Sequence, residues 1–181
     1  MDDNIIIRKC LAGDREIFEV LVNKYKNLLF SFAKTIISDH EDTVDIVQDS
    51  FVTAFTSLNK FNPEKNFKTW IMSITYNKCI DHTRRRKIFL KYFDKLKKEY
   101  KEKTFEKKQY ENIEDSNLFK PALKKLSNKE RSALAMQLNL NMTADEIGNV
   151  LNCSLNTVRV HLFNARSKIK KIMTSSMEPL K

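Results

Sequence analysis

A chain of 181 residues with two glycines and three prolines has the length of one domain or two small ones, and the composition of helices more than of strands. Its formal net charge of +10 makes a polyanion the expected partner of its basic parts. The three cysteines, Cys10, Cys79 and Cys153, are odd in number and far apart, which argues against a disulfide framework or a zinc site. No run approaches the roughly 18 apolar residues of a membrane span, and the N-terminus does not resemble a signal peptide. The expectation is therefore a protein of a reducing cytoplasm, without stable membrane insertion, metal or cofactor.

Charge is unevenly distributed. Residues 1–83 carry 10 basic and 12 acidic side chains, residues 84–108 carry 12 and 4, and residues 109–181 carry 11 and 7. An acidic-leaning first half, a basic middle and a mildly basic end suggest different partners for different parts.

Asp14 is placed to cap a first helix whose apolar positions Phe18, Leu21, Tyr25, Leu28, Leu29, Phe32 and Ile36 keep one face for about five turns. A second helix is marked by Val44, Val47, Phe51, Phe55 and Leu58 and starts around Asp42. Residues 39–58 contain five acidic side chains and no Lys or Arg. Asp42, Asp45 and Asp49 share one side of this helix with Gln48, forming a surface that repels DNA and favours a basic protein. Paired carboxylates can also be catalytic or hold a metal. No nucleophile pattern accompanies them, so no catalytic residue is assigned.

Residues 59–66 form a loop, followed from about Phe67 by a third helix with Trp70, Ile71, Ile74 and Ile80 on its apolar side. It reaches Arg84, Arg85 and Arg86, and the spacing of Phe89, Tyr92, Phe93, Leu96 and Tyr100 would let it continue. Phe61, Asn62, Lys65, Asn66, Trp70, Asn77, Lys78, Arg84 and Arg85 combine aromatic faces that stack bases, amides that read base edges and cations that hold phosphates, the equipment of a single-strand site. Taken alone, the helical spacing of Phe67, Trp70, Ile71 and Ile74 is more often that of a plain core, the stronger of the two readings.

Residues 101–118 read as a linker, and Pro121 suits the first turn of a new helix. Ser127 with Glu130, and Thr143 with Glu146, are capping boxes that start two more helices. Gly148 is small enough for a close helix crossing, and Asn152 can take the left-handed turn before Ser154 caps the last helix. There Leu155, Val158, Leu162, Ala165, Ile169 and Ile172 mark a buried seam. Asn156, Thr157, Arg159, Val160, His161 and Asn164 lie on the exposed side of its first turns, where a helix-turn-helix presents side chains to the major groove. Ser154 and Lys168, in the basic end, join them as DNA-binding candidates. A helical hairpin with a solvated polar face has the same periodicity. The fold class is all-α: two small helical domains joined by a charged linker, residues 1–100 and 119–181, the second a helix-turn-helix.

Several stretches resemble the extracytoplasmic-function sigma factors. Asp45-Ile46-Val47-Gln48-Asp49-Ser50-Phe51, Ala54-Phe55, Leu58-Asn59-Lys60-Phe61, Phe67-Lys68-Thr69-Trp70-Ile71, Asp81 and Arg84-Arg85-Arg86 are similar to their N-terminal domain, and Leu11-Ala12-Gly13-Asp14 with Phe18 to its start. Asn156-Thr157-Val158-Arg159, Leu162-Phe163 and Ala165-Arg166 are similar to their C-terminal domain. The resemblance implies a dissociable promoter-specificity subunit of bacterial RNA polymerase that has no catalytic residue of its own. Asp45, Gln48, Asp49 and Phe51 would face the clamp helices of the largest core subunit, or support those that do. The loop and third helix would capture and hold the melted strand of the minus-10 element, and the C-terminal reader would bind the double-stranded minus-35 element. An anti-sigma factor is a further partner compatible with the resemblance. Asn156, Val160, His161 and Asn164 depart from the residues common in the family, so no base preference is implied. A stand-alone helix-turn-helix regulator, dimerising through the acidic helix, is the alternative.

Overall fold

The computed structural model describes the backbone of residues 2–99 and 125–175, with side chains described through Tyr92 in the first stretch and through Thr174 in the second. The described residues are helical, with no strand among them. The expected linker and the helix start at Pro121 lie outside the described residues.

Helix α1, Asp3–Leu11, begins where the Asp2 carboxylate accepts the Asn4 N–H at 2.9 Å. It buries Ile6, Ile7 and Cys10, and Asp3 anchors it to the next helix by accepting from the Tyr25 hydroxyl and from Lys24 Nζ at 2.6 Å. Burial, and next the Asp3 hydrogen bond, raise the Tyr25 phenol above its ordinary pKa.

Helix α2, Phe18–Lys34, buries Phe18, Leu21, Tyr25, Leu29, Phe32 and Ala33. Asp14 does not cap it. The chain passes Gly13 at φ 114° into turns whose carbonyls, on Arg15 and Glu16, accept the Phe18 and Glu19 N–H groups, so the helix start needs no side-chain acceptor.

Helix α3, His40–Thr56, starts two residues before the expected Asp42, because Asp39 is the cap and accepts the Asp42 N–H at 3.0 Å. Its core side carries Thr43, Ile46, Val47, Ser50, Phe51 and Ala54, while Val44 and Phe55 are only half-buried. The hydroxyls of Thr43 and Ser50 remain satisfied inside by donating to the carbonyls of Asp39 and Ile46, one turn back.

A 3-10 turn, Leu58–Lys60, opens the loop and is followed by α4, Phe67–Glu99, 33 residues without a break at the arginines. The first four turns of α4 bury Phe67, Ile71, Met72, Tyr76 and Cys79. Each large apolar side chain removed from water here contributes about 1.5–3 kcal/mol.

In the C-terminal part, α5, Asn128–Leu140, and α6, Ala144–Leu151, each begin with the expected capping box. Each ends on an asparagine in the left-handed region, Asn141 at φ 48° and Asn152 at φ 49°. Cys153 and Ser154 then lead into α7, Leu155–Ser175, where the Ser154 hydroxyl accepts the Thr157 N–H at 3.2 Å. Val158, Leu162 and Ala165 form the buried seam, whereas Leu155, at its start, is exposed. Helix α6 packs against α4, and Lys68 Nζ donates to the Leu140 carbonyl at 3.1 Å. The Arg131 guanidinium reaches the Thr35 carbonyl at 3.4 Å.

Candidate nucleic-acid interface

Three exposed surfaces follow one another along the chain. On α3, Asp45, Gln48 and Asp49 are exposed and stand at spacings of three and four, which places them on one face. The next position on that face is Val52, 61% exposed, which an apolar-seam reading passes over. Its spacing from Asp45 and Asp49 is the signal that could have found it. Of the two places expected for Phe51, facing the partner or supporting the face, its burial in the core fits the second. Asp42 turns toward α4, with Oδ2 at 3.3 Å from His82 Nε2 and 3.8 Å from Arg86, and Asp49 lies 3.7 Å from Lys78. The acidic edge of α3 thus meets the basic edge of α4.

The second surface is the loop and the start of α4. Phe61 is corrected to a core residue, for it is buried and its ring lies 5.1 Å from Trp70 and 5.7 Å from Phe67, centroid to centroid. Both distances fit favourable ring packing, so Phe61 braces the loop and does not present a face to a base. Trp70 is half-buried in this cluster. Asn62, Lys65 and Asn66 are exposed on the loop that Phe61 supports. Asn62 Oδ1 accepts the Glu64 N–H at 2.9 Å, Asn66 Oδ1 accepts the Thr69 N–H at 3.4 Å, and Asn4 ties the Pro63 carbonyl to α1. The first two bonds fix the loop shape from its own sequence, and the third holds it to the body. Asn77, Arg84 and Arg85 are exposed, and Lys78 is half-buried beside Asp49.

The third surface is the first half of α7. Asn156, Arg159 and Val160 are exposed, as is Ser154 at the cap, while Thr157 and Asn164 are half-buried. Phe163, 69% exposed, extends the stripe of Asn156, Arg159 and Val160 by one turn and was not among the expected positions. Two candidates are displaced from this stripe. His161 turns into a cleft lined by Tyr76, Ile80, Lys87 and Arg131, with its Nε2 buried there. Lys168 is engaged at 2.7 Å by Glu130, whose carboxylate also completes the α5 capping box. Gly148 permits the close approach of α6 to the turn before α7, because a Cβ there would stand 2.8 Å from the Cys153 carbonyl.

Two family models match the chain in succession. The family model for sigma-70 region 2 matches residues 21–88, and that for sigma-70 region 4 matches residues 118–169. The ECF RNA polymerase sigma factor SigW of Bacillus subtilis (strain 168) is 23% identical over 175 residues, which cover 91% of this chain and 93% of that one. The chain belongs to the extracytoplasmic-function sigma factors. The RNA polymerase sigma-H factor of Pseudomonas aeruginosa is 24% identical, covering 94% of this chain and 93% of its own. Among solved structures, CnrH in complex with the cytosolic domain of CnrY superposes with a TM-score of 0.70 at 24% identity, over 96% of this chain and 97% of that one. The sigma factor RpoE of Bartonella quintana, in complex with the anti-sigma factor NepR, gives 0.69 at 22%, over 87% and 96%. These likenesses establish the two-part helical fold. As a member of the family, the chain is an alternative sigma factor that directs RNA polymerase to promoters, and sigma factors are non-enzymatic subunits of that machine.

Proposed function

We propose that the three surfaces divide the work of promoter recognition. The face of Asp45, Gln48, Asp49 and Val52 docks on the clamp helices of core RNA polymerase, where its lack of any Lys or Arg suits a basic protein surface and keeps DNA away. The loop of Asn62, Lys65 and Asn66, with Asn77, Lys78, Arg84 and Arg85 of α4, captures and holds the melted minus-10 strand. Helix α7 enters the major groove of the minus-35 element with Asn156, Thr157, Arg159, Val160 and Asn164. Residues 1–100 and 119–181 act as separate domains about a linker at 101–118. The protein works in the cytoplasm with the polymerase and contributes binding, not catalysis. An anti-sigma factor that covers these same faces is a fitting inhibitor.

The observation that carries this reading is the segregation of the surfaces. An acid-only face, an amide- and cation-bearing loop and helix, and a helix-turn-helix with an outward arginine occur in this order on one fold. Extruding a base costs a few kcal/mol, which polar contacts from the loop amides and cations would offset. Each good base-edge pair in the reader adds about 1–3 kcal/mol of discrimination.

Promoters selected from a pooled library with core polymerase provide the test. Asn77→Ala should reduce strand opening, read by permanganate reactivity of unpaired thymines, more than it reduces duplex binding. Equal loss of both would count against a strand-holding role.

A further inference from the structure

Between α4 and the helix-turn-helix lies a cleft of about 570 Å³. That volume falls in the range of pockets that hold small molecules, which form preferentially where two units meet. One wall is α4, with Tyr76, Ile80 and Lys87, and the other is the start of α5, with Lys129 and Arg131, closed by His161 of α7. None of these side chains belongs to the docking face, the strand-holding set or the stripe that reads the duplex.

The lining carries three permanent cations and no carboxylate. Glu130, the acidic neighbour in sequence, is turned to Lys168 at 2.7 Å and to the Ser127 N–H at 2.8 Å, so it does not neutralise the cleft. Lys87 and Lys129 form no ion pair among the described residues. Like charges gathered around one cavity repel one another and concentrate anions there. The Nε2 atom of His161 is buried in the cleft and has no hydrogen-bond partner among the described residues. Buried polar atoms are nearly always hydrogen-bonded, and an anion oxygen would serve the N–H tautomer of this one. Tyr76 and Leu126 are buried and Ile80 is half-buried, so the cationic rim adjoins an apolar floor that includes an aromatic ring.

We propose that the cleft binds a nucleoside polyphosphate. Its phosphates lie on Lys87 and Lys129 in the positive field of Arg131, His161 donates to one phosphate oxygen, and the base rests on the floor of Tyr76, Ile80 and Leu126. Promoter DNA is not the occupant, because the cleft exists only while the helix-turn-helix rests on α4. A ligand that touches both walls binds this closed arrangement alone and opposes its opening; by reciprocity, a promoter that draws the two halves apart expels the ligand. That consequence rests on the sigma-factor reading, whereas the binding itself does not.

The test is calorimetric titration of ATP into the full chain at low salt. Lys87→Gln with Lys129→Gln removes two exposed charges from the rim, and Lys26→Gln with Lys60→Gln removes two exposed charges outside it. The rim variant should bind ATP at least about tenfold more weakly than wild type, the loss expected of charge-assisted contacts, while the control variant matches wild type. Inorganic triphosphate, which lacks the base, should bind wild type more weakly than ATP by about fivefold or more, since only ATP can use the floor. In the holoenzyme, ATP as the sole nucleotide should lower promoter occupancy by the wild type and leave that of the rim variant unchanged. No binding by wild type, equal loss in both variants, triphosphate binding as tightly as ATP, or occupancy that falls equally in wild type and rim variant overturns the proposal. A holoenzyme that forms no promoter complex even without ATP, while the chain alone binds ATP as described, overturns the sigma-factor reading and leaves the site standing.

Discussion

Gly148 shows how one residue sets the geometry of the reader. A helical Gly→Ala change ordinarily stabilises by about 1 kcal/mol. Here the new methyl would stand 2.8 Å from the Cys153 carbonyl in the turn, so Gly148→Ala is expected to destabilise by about 1–3 kcal/mol, measured by urea unfolding. Glu130 is a second such residue. Burial pushes its carboxyl up, but the hydrogen bonds from Lys168 and from the Ser127 backbone outweigh that and hold its pKa below the ordinary value. A depressed folded pKa gives stability that is present above the unfolded carboxylate pKa and lost as pH falls through the folded one. Acid unfolding should therefore begin below about pH 4.5. Glu130→Gln should cost about 1–2 kcal/mol at neutral pH and flatten that acid limb. A variant with the wild-type acid profile would show that the Lys168 contact contributes nothing.

At the scale of elements, a helix start marked by a reciprocal capping box is legible in the sequence, whereas a start with a lone side-chain cap, as at Asp2 and Asp39, or with backbone turns, as at α2, is not. Ser127 with Glu130 and Thr143 with Glu146 announce α5 and α6 by residue type and spacing alone, as Asn152 announces the turn after α6. Helix α1 escapes such a reading because Ile5, Ile6 and Ile7 are a short unbroken apolar run, which has no helical period. The candidate surfaces divide on the same physical line. Exposure of Asp45, Asn77 and Arg159 follows from helical period alone. Burial of Phe61 depends on where Trp70 and Phe67 fold back, and the turning of His161 depends on a neighbouring helix, neither of which a local pattern encodes. The stripe on α7 yields a direct comparison: Arg159→Ala should weaken minus-35 binding by about 1–3 kcal/mol, whereas His161→Ala should change it little, by competition binding to duplex. On α3, the Asp49 carboxylate is 73% exposed, so its pairing with Lys78 adds little to stability. Asp49→Asn is expected to leave the unfolding midpoint in place while lowering core affinity, and a shifted midpoint with normal affinity would reverse that assignment.

For the whole molecule, the reader domain sits on the helix that is assigned to the melted strand. Packing of α6 on α4, the Lys68 bond to Leu140 and the Arg131 bond to Thr35 hold the reader domain against the N-terminal helices. Promoter elements centred about 25 base pairs apart are roughly 85 Å apart along the duplex. The domains must therefore separate before both can be engaged. Labels at the exposed positions Glu19 and Ser167 should move apart by tens of ångströms when the holoenzyme binds its promoter, and an unchanged distance would contradict this opening. The most direct measurement of the account as a whole is run-off transcription by purified core polymerase on a pooled promoter library, with and without this protein. The account predicts new, discrete start sites preceded by a shared two-block motif and dependent on both components. Duplex binding by the protein alone, with no core-dependent transcription, would contradict it.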